Sequence, residues 1–199
     1  MATLPNYLQH EVRCIMMASV RFPALLAVLI GGLGMPAWAA PYYPTGPQLN
    51  VPVATVLAGG WTACYTASIG SPFGIDAAAT LANCPGSQLL VAGHQRGSDT
   101  YAVLAAAPKA DALTDTGANT SNTHTVNGSQ WYNSDLWAFG FAPEEGAVTL
   151  SSCDITEGED RLCVHTFSAV GGFRVGSAMN LNSDTNWEIV VYSSDNTAP

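Results

Sequence analysis

The chain has 199 residues, 48% hydrophobic and 11% charged, with 15 Asp and Glu against 6 Lys and Arg for a formal charge of −9. That length suits one domain, and the apolar content is too high for a disordered chain. The acidic balance excludes nucleic acid as a partner, because phosphate binding needs clustered Lys and Arg.

Residues 1–39 read as a signal peptide. Arg21 supplies the positive charge, residues 24–34 (ALLAVLIGGLG) the apolar core, and Ala37-Trp38-Ala39 a small-x-small signal with the cut after Ala39. The apolar run is shorter than the ~20 residues a membrane helix needs, and Gly31, Gly32, Gly34 and Pro36 break it, so no transmembrane segment is expected. A start at Met16 or Met17 gives the leader an ordinary length, and Cys14 is lost on cleavage in either case. Cleavage also takes away Arg13, Arg21 and Glu11, leaving 4 basic and 14 acidic residues in 40–199 and a formal charge of −10. The expected product is extracytoplasmic, either secreted or periplasmic.

Residues 40–50, rich in Pro, Gly and Tyr, read as an extended arm. Residues 51–56 and 60–65 read as strands about a turn at 57–60. The Ala-rich run 75–82 (IDAAATLA) reads as a helix, stopped by Asn83-Cys84-Pro85-Gly86. The continuous apolar run 88–93 (QLLVAG) suits a strand covered on both faces. The next strand, 100–106, follows the turn Arg96-Gly97-Ser98-Asp99. Residues 111–122 are a polar loop. Asn127-Gly128 between 123–126 and 129–133 is a hairpin signal, since both residues tolerate positive φ. In 136–141 the alternation sets Trp137, Phe139 and Phe141 on one side, as core. Strands at 147–151, 161–167, 172–175 and 187–192 complete the set.

About ten short strands with turns every 8–12 residues, and one short helix, predict an all-β, mainly antiparallel fold. The expected architecture is a β-sandwich or jelly-roll-like single domain over 51–192, with a short tail at 193–199. No internal repeat of fixed period is visible.

The exported part keeps Cys64, Cys84, Cys153 and Cys163. An even number in an oxidising compartment reads as disulfides. Of the three connectivities, the local one, Cys64–Cys84 and Cys153–Cys163, joins the pairs closest in sequence. Zinc is disfavoured, since no pair has C-x₂-C spacing and no His stands beside them at ligand spacing.

The stretches GPQLNVPVATVLAGGWTACY (46–65), SCD (152–154), RLCVHT (161–166), GGFRVG (171–176) and LNSDTNWEIVVY (181–192) resemble a group of uncharacterised secreted bacterial proteins. The resemblance spans most of residues 40–199. It implies an exported, disulfide-braced single domain and carries no activity and no catalytic residue.

No G-x-S-x-G, no H-E-x-x-H and no His pair at i, i+4 is present, so no catalytic residue is assigned. A secreted hydrolase using His94 or His165 as base is the runner-up; His94 is placed at the end of its strand, where sites are displayed. Asp154, Glu157, Glu159 and Asp160 lie inside the Cys153–Cys163 segment. They read first as a solvated turn, and alternatively as oxygen ligands for Ca²⁺, the one cofactor considered. Trp131 and Tyr132 stand before Asn133 and Asp135, an aromatic-and-amide grouping that, with His94, suits ligand contact. Cross-strand packing is the competing role for both aromatics. The function expected is a secreted binding or adhesion module, with a glycan or surface polymer as ligand. A structural surface or matrix protein is the further alternative.

Overall fold

The structure, a computed structural model, describes residues 40–71, 73, 76–118, 121–134, 137–149, 152–166 and 172–195. The expected signal peptide with its expected cleavage site, Asp135 and residues 196–199 of the tail lie outside the described residues. Among the described residues, runs of Val, Leu, Ala and aromatic side chains, punctuated by Gly, Asn and Pro, build ten strands in two antiparallel five-stranded sheets. The all-β sandwich read from the alternation is the fold observed.

The first sheet holds β1 (Gln48–Pro52), β2 (Thr62–Ser68), β3 (Gln88–Gln95), β4 (Thr100–Pro108) and β10 (Trp187–Ser194), in the order β1-β4-β3-β10-β2. The second holds β5 (His124–Val126), β6 (Ser129–Asn133), β7 (Ala138–Pro143), β8 (Leu162–His165) and β9 (Arg174–Val175), in chain order. Between the sheets, Leu89, Val91, Val103, Ile189 and Val191 of the first meet Trp131, Phe139, Phe141, Leu162 and Val164 of the second. Full burial of each such side chain stabilises by ~1.5–3 kcal/mol, so this layer supplies most of the driving force.

Both outer faces are also covered. On the first sheet, Val51, Leu90, Ala92, Tyr101, Leu104, Val190 and Tyr192 lie under Trp61, Val56 and the arm residues Tyr42 and Tyr43. That second apolar face explains why 88–93 reads as apolar throughout. On the second sheet, Tyr132, Ala138, Ala142 and Cys163 lie under Cys153, Val148 and Trp137.

Residues 53–58 correct the expected hairpin. They form a helix, α1 (Val53–Ala58), and not the second half of a strand. The reason is topological: β1 and β2 are the two opposite edges of their sheet, so the chain between them crosses its outer face. Pro52 has no N–H to continue the ladder, Val56 is buried on that face, and Gly59-Gly60 ends the helix. The strand also begins at Gln48, inside the segment expected to be arm.

The second helix, α2 (Ala77–Leu81), lies within the predicted run; Asp76 caps it, its Oδ1 accepting from Ala79 N at 2.7 Å. A third turn of helix, α3 (Lys109–Ala112), was not anticipated. Of the strand expected at 147–151, the described residues 147–149 are not in a strand, and the chain continues into a 3₁₀ turn at Ser152–Asp154. The Asn127-Gly128 hairpin forms as read, with φ of 50° and 71°. Its tip is tied to the arm: Asn127 Nδ2 donates to Pro44 O at 2.7 Å and to Ala106 O at 2.9 Å.

Both disulfides have the local pairing. Cys64–Cys84 joins β2 to the segment after α2, and Cys153–Cys163 closes the loop that covers the second sheet.

Candidate functional site

Trp131 and Tyr132, for which packing competed with ligand contact, are both buried. Trp131 is 0% exposed and packs on Phe141 with ring centroids 5.3 Å apart. Tyr132 is 4% exposed, and its hydroxyl donates to Leu162 O at 3.2 Å. Burial pushes its pKa up. Neither ring face is open to stack on a sugar. Both residues sit within β6, where one side chain enters the inter-sheet core and the next goes under the disulfide loop.

Asn133 is likewise buried, and its role is to fasten a loop. Its Nδ2 donates to Leu113 O at 3.0 Å, its N–H to Thr116 Oγ1 at 3.2 Å, and its carbonyl accepts from Thr116 N at 2.9 Å. These bonds lay residues 113–117 beside the end of β6. Gly117, with φ of 85°, turns that loop, its N–H donating to Asp115 Oδ1 at 2.9 Å.

The tryptophan that reaches the surface here is Trp137. It was expected to share a face with Phe139 and Phe141, but β7 starts only at Ala138. Trp137 belongs to the turn before it, its N–H donating to Ser134 O at 3.2 Å. Thr166 clamps that turn, donating from N to Trp137 O at 2.9 Å and from Oγ1 to Ser134 O at 2.7 Å. Phe139 and Phe141 enter the inter-sheet core while Trp137, half-buried, packs on the outer cluster with its ring edge-on to His165 at 5.5 Å. A shallow cleft of about 10 Å³, room for a single water, lies between this turn and the fastened loop, lined by Thr116, Gly117, Asn122, Ser134 and Trp137 above Tyr132 and Ala138. Its polar groups are hydroxyls, amides and backbone, and among the described residues no charged side chain lines it.

The acidic loop, read first as a solvated turn, presents most of its carboxylates to solvent. Among the described residues no three His, Cys, Asp or Glu side chains are grouped to hold a metal ion. Asp154, Glu157 and Glu159 are exposed. The inward-facing oxygens of their loop are already taken by a cation of the chain itself, the wholly buried Arg174. Its Nη1 donates to Ile155 O, its Nη2 to Gly158 O at 2.5 Å and to Gly176 O at 2.9 Å. The planar fork of five N–H groups suits several carbonyls at once. Burial and the neighbouring Arg161 push the guanidinium pKa down, while Tyr132 and Asp160 oppose the shift.

His94 is the last residue but one of β3, which ends at Gln95, yet it is only 6% exposed, so the strand end does not display it. Nδ1 is 3.0 Å from Ser98 O, and Nε2 is 3.0 Å from Oε1 of Glu188, its cross-strand partner on β10. The Glu188 contact lacks the alignment of a hydrogen bond. Arg96 Nη1 lies 3.4 Å from the other oxygen of Glu188. The imidazole also packs on Tyr101, whose hydroxyl is 2.5 Å from that of Tyr192. His94 therefore locks β3, β10 and the turn after β3, and holds no open position for a ligand.

Comparison of the chain with family models, with curated proteins and with solved structures returns no match. The site is therefore described by geometry alone.

The other histidines are equally specific in setting. His165 lies between Trp137 and Phe173; burial pushes its pKa down, with Asp154 opposing. His124 pairs with Asp111 at 2.7 Å, both partly exposed. Among the described residues none of the three is within hydrogen-bond reach of a Ser, Thr or Cys side chain. Two residues escaped the sequence reading. Arg174 carried a signal, a lone charge in the apolar stretch Gly172-Phe173-Arg174-Val175. Trp137 carried one too, since Asn133-Ser134-Asp135 just before it is a turn grouping.

Proposed function

We propose that the protein is an exported, disulfide-braced binding module that takes a neutral glycan or surface polymer at the Trp137 cleft. The observation that carries this reading is the composition of that cleft: one half-buried indole ring beside hydroxyl and amide groups, with no charged side chain lining it among the described residues. The cleft is far below the ~300–1,000 Å³ of an enclosing ligand pocket, so the contact is a surface one, in which neutral donors and acceptors match sugar hydroxyls. Charge supports the choice of a neutral polymer. Of the four cations after residue 22, Arg161 and Arg174 are buried, so little positive charge is left to attract a polyanion.

Export is supported by the leader-like composition of residues 1–39, by the resemblance to secreted bacterial proteins, and by two disulfides, which persist in oxidising compartments. Mass spectrometry of the exported protein should find Ala40 at its N-terminus; an intact residue 1 or 16 outside the cytoplasm would refute the cleavage.

The binding test is a glycan array followed by pull-down on major cell-surface polysaccharides, with wild type and Trp137→Ala. The expected result is retention of at least one neutral polymer, lost by about tenfold or more in the variant, in line with loss of an aromatic anchor. Polymer chain length after incubation separates binding from hydrolysis. Retention unchanged by Trp137→Ala, or no retention of any polymer, would overturn the site or the module reading respectively.

A further inference from the structure

The two sheets present four edge strands, and three are guarded. β1 ends in Pro52 and is interrupted at Asn50, whose φ is 54°. β5 is three residues long and β9 two. Short length, proline and local irregularity are the ordinary means of stopping a sheet edge from pairing with another chain. β2 is the least guarded. It is seven residues long (TACYTAS), carries no Pro and no charge, its one irregularity is a bulge at Cys64 that leaves residues 65–68 in regular register, and Thr62, Ala63 and Thr66 are exposed along it.

The direction of its backbone groups follows from the ladder. Ile69 N donates to Trp187 O at 3.0 Å. In an antiparallel pair, residues alternate between those that bond to the partner strand and those that face away. With Thr66 opposite Val190 and Ser68 opposite Glu188, the N–H and C=O of Thr66 and the N–H of Ser68 point away from β10. Ser68 O is used by the following turn, accepting from Ser71 N at 3.0 Å. Thr66 is thus the centre of the open edge.

We infer that β2 is a homodimer interface, in which two copies pair their β2 strands antiparallel about a two-fold axis at Thr66. Each Thr66 N–H then donates to the Thr66 carbonyl of the other copy, and the two threonine side chains lie directly opposite, a favourable cross-strand pair. The charge distribution selects a second copy as occupant. At a formal charge of −9 the copies repel over most of their surface. Residues 22–75, which include all of β2, contain no Asp, Glu, Lys, Arg or His. Glu188, opposite Ser68 on β10, is already held by His94 and Arg96, and Asp184 and Asp195 border only the two ends of β2. An isologous contact at β2 therefore brings neutral backbone to neutral backbone, and it closes: the guarded β1 edge at the other side of the sheet stops growth into a fibre.

The test is sedimentation equilibrium of the purified protein over a concentration series, with amide hydrogen exchange of Thr66 and Ser68. Wild type should be a dimer whose Thr66 and Ser68 amides are protected only at concentrations where it dimerises. Thr66→Lys sets like charges opposite one another and should raise the dissociation constant by about tenfold or more. Thr125→Lys, on the exposed middle of β5, should leave it unchanged; circular dichroism shows that each variant is folded. A wild type that stays monomeric overturns the inference, as does a dimer with rapidly exchanging Thr66 and Ser68 amides. Protection at monomer concentrations in the presence of an added extended peptide, with no self-association, would transfer the edge to a different partner and also overturn it.

Discussion

Arg174 is a fully buried charge whose partners are carbonyl oxygens of one loop, so it organises residues 155–158 and 176 from inside. Arg174→Met strands those carbonyls while removing the cost of burying a cation. The expected net loss is about 2–3 kcal/mol in urea unfolding, since hydrogen bonds to charged groups contribute ~1.5–3 kcal/mol each and part is returned. Arg174→Lys should recover only part, because an ammonium lacks the fork. An unchanged unfolding midpoint in the Met variant would show that the loop stands without it. His165 gives a second prediction, in pH. Burial lowers its folded pKa below the unfolded value of about 6.5. As pH falls through that value, the unfolded chain binds the proton first, so stability present above it is lost progressively toward the folded pKa. Melting curves from pH 7.5 to about 5 should fall more steeply for wild type than for His165→Gln; parallel curves would remove His165 from the acid response.

At the scale of elements, the two disulfides do different work. Cys64–Cys84 spans 20 residues and pins the start of β2 to the segment after α2. Cys153–Cys163 spans 10 and pins the covering loop to β8. Replacing either pair with serine should cost about 2–4 kcal/mol, chiefly through the unfolded chain. The longer bridge should cost more, by roughly 0.6 kcal/mol for the doubled span. Denaturant titration of the two double variants gives the order, and a reversed order would mean that folded-state contacts of the covering loop outweigh chain entropy. The same scale shows why residues 53–58 were misread. Val53, Thr55 and Val56 favour strands locally, by less than ~1 kcal/mol each. Burying Val56 on the outer face is worth ~1.5–3 kcal/mol, and the crossover can do it in a helical turn.

At the scale of the whole molecule, the two sheets pack tightly at Gly93, where a Cβ would lie 2.5 Å from Val175 Cγ1 and 2.9 Å from Leu162 Cδ1. Gly93→Ala forces the sheets apart or the side chains off their rotamers, at an expected ~1–3 kcal/mol. At Gly140 the obstacle is backbone, Leu162 O at 2.1 Å, so Gly140→Ala should cost more. Thermal melts of the two variants test the ranking; a Gly140→Ala protein as stable as wild type would refute this account of how β7 meets β8. The acidic surface acts at the same scale. With Arg161 and Arg174 inside, carboxylates outnumber accessible cations further than the composition suggests, and added salt should raise the melting temperature by screening them within a ~10 Å Debye length.

The sequence by itself determined the features that depend on neighbouring residues. A continuous apolar run specified the strand at 88–93, Asn127-Gly128 specified its hairpin through positive φ, and the Ala-rich run specified a helix within 75–82. The local cysteine pairs were readable because chain proximity makes their closure cheap. Only the tertiary structure decided that β1 and β2 lie at opposite edges, that Trp131 is core while Trp137 borders a cleft, and that an arginine fills the acidic loop. Those outcomes turn on which strands become neighbours and what covers each face, energies of several kcal/mol that arise between residues far apart in sequence and leave no mark on local pattern.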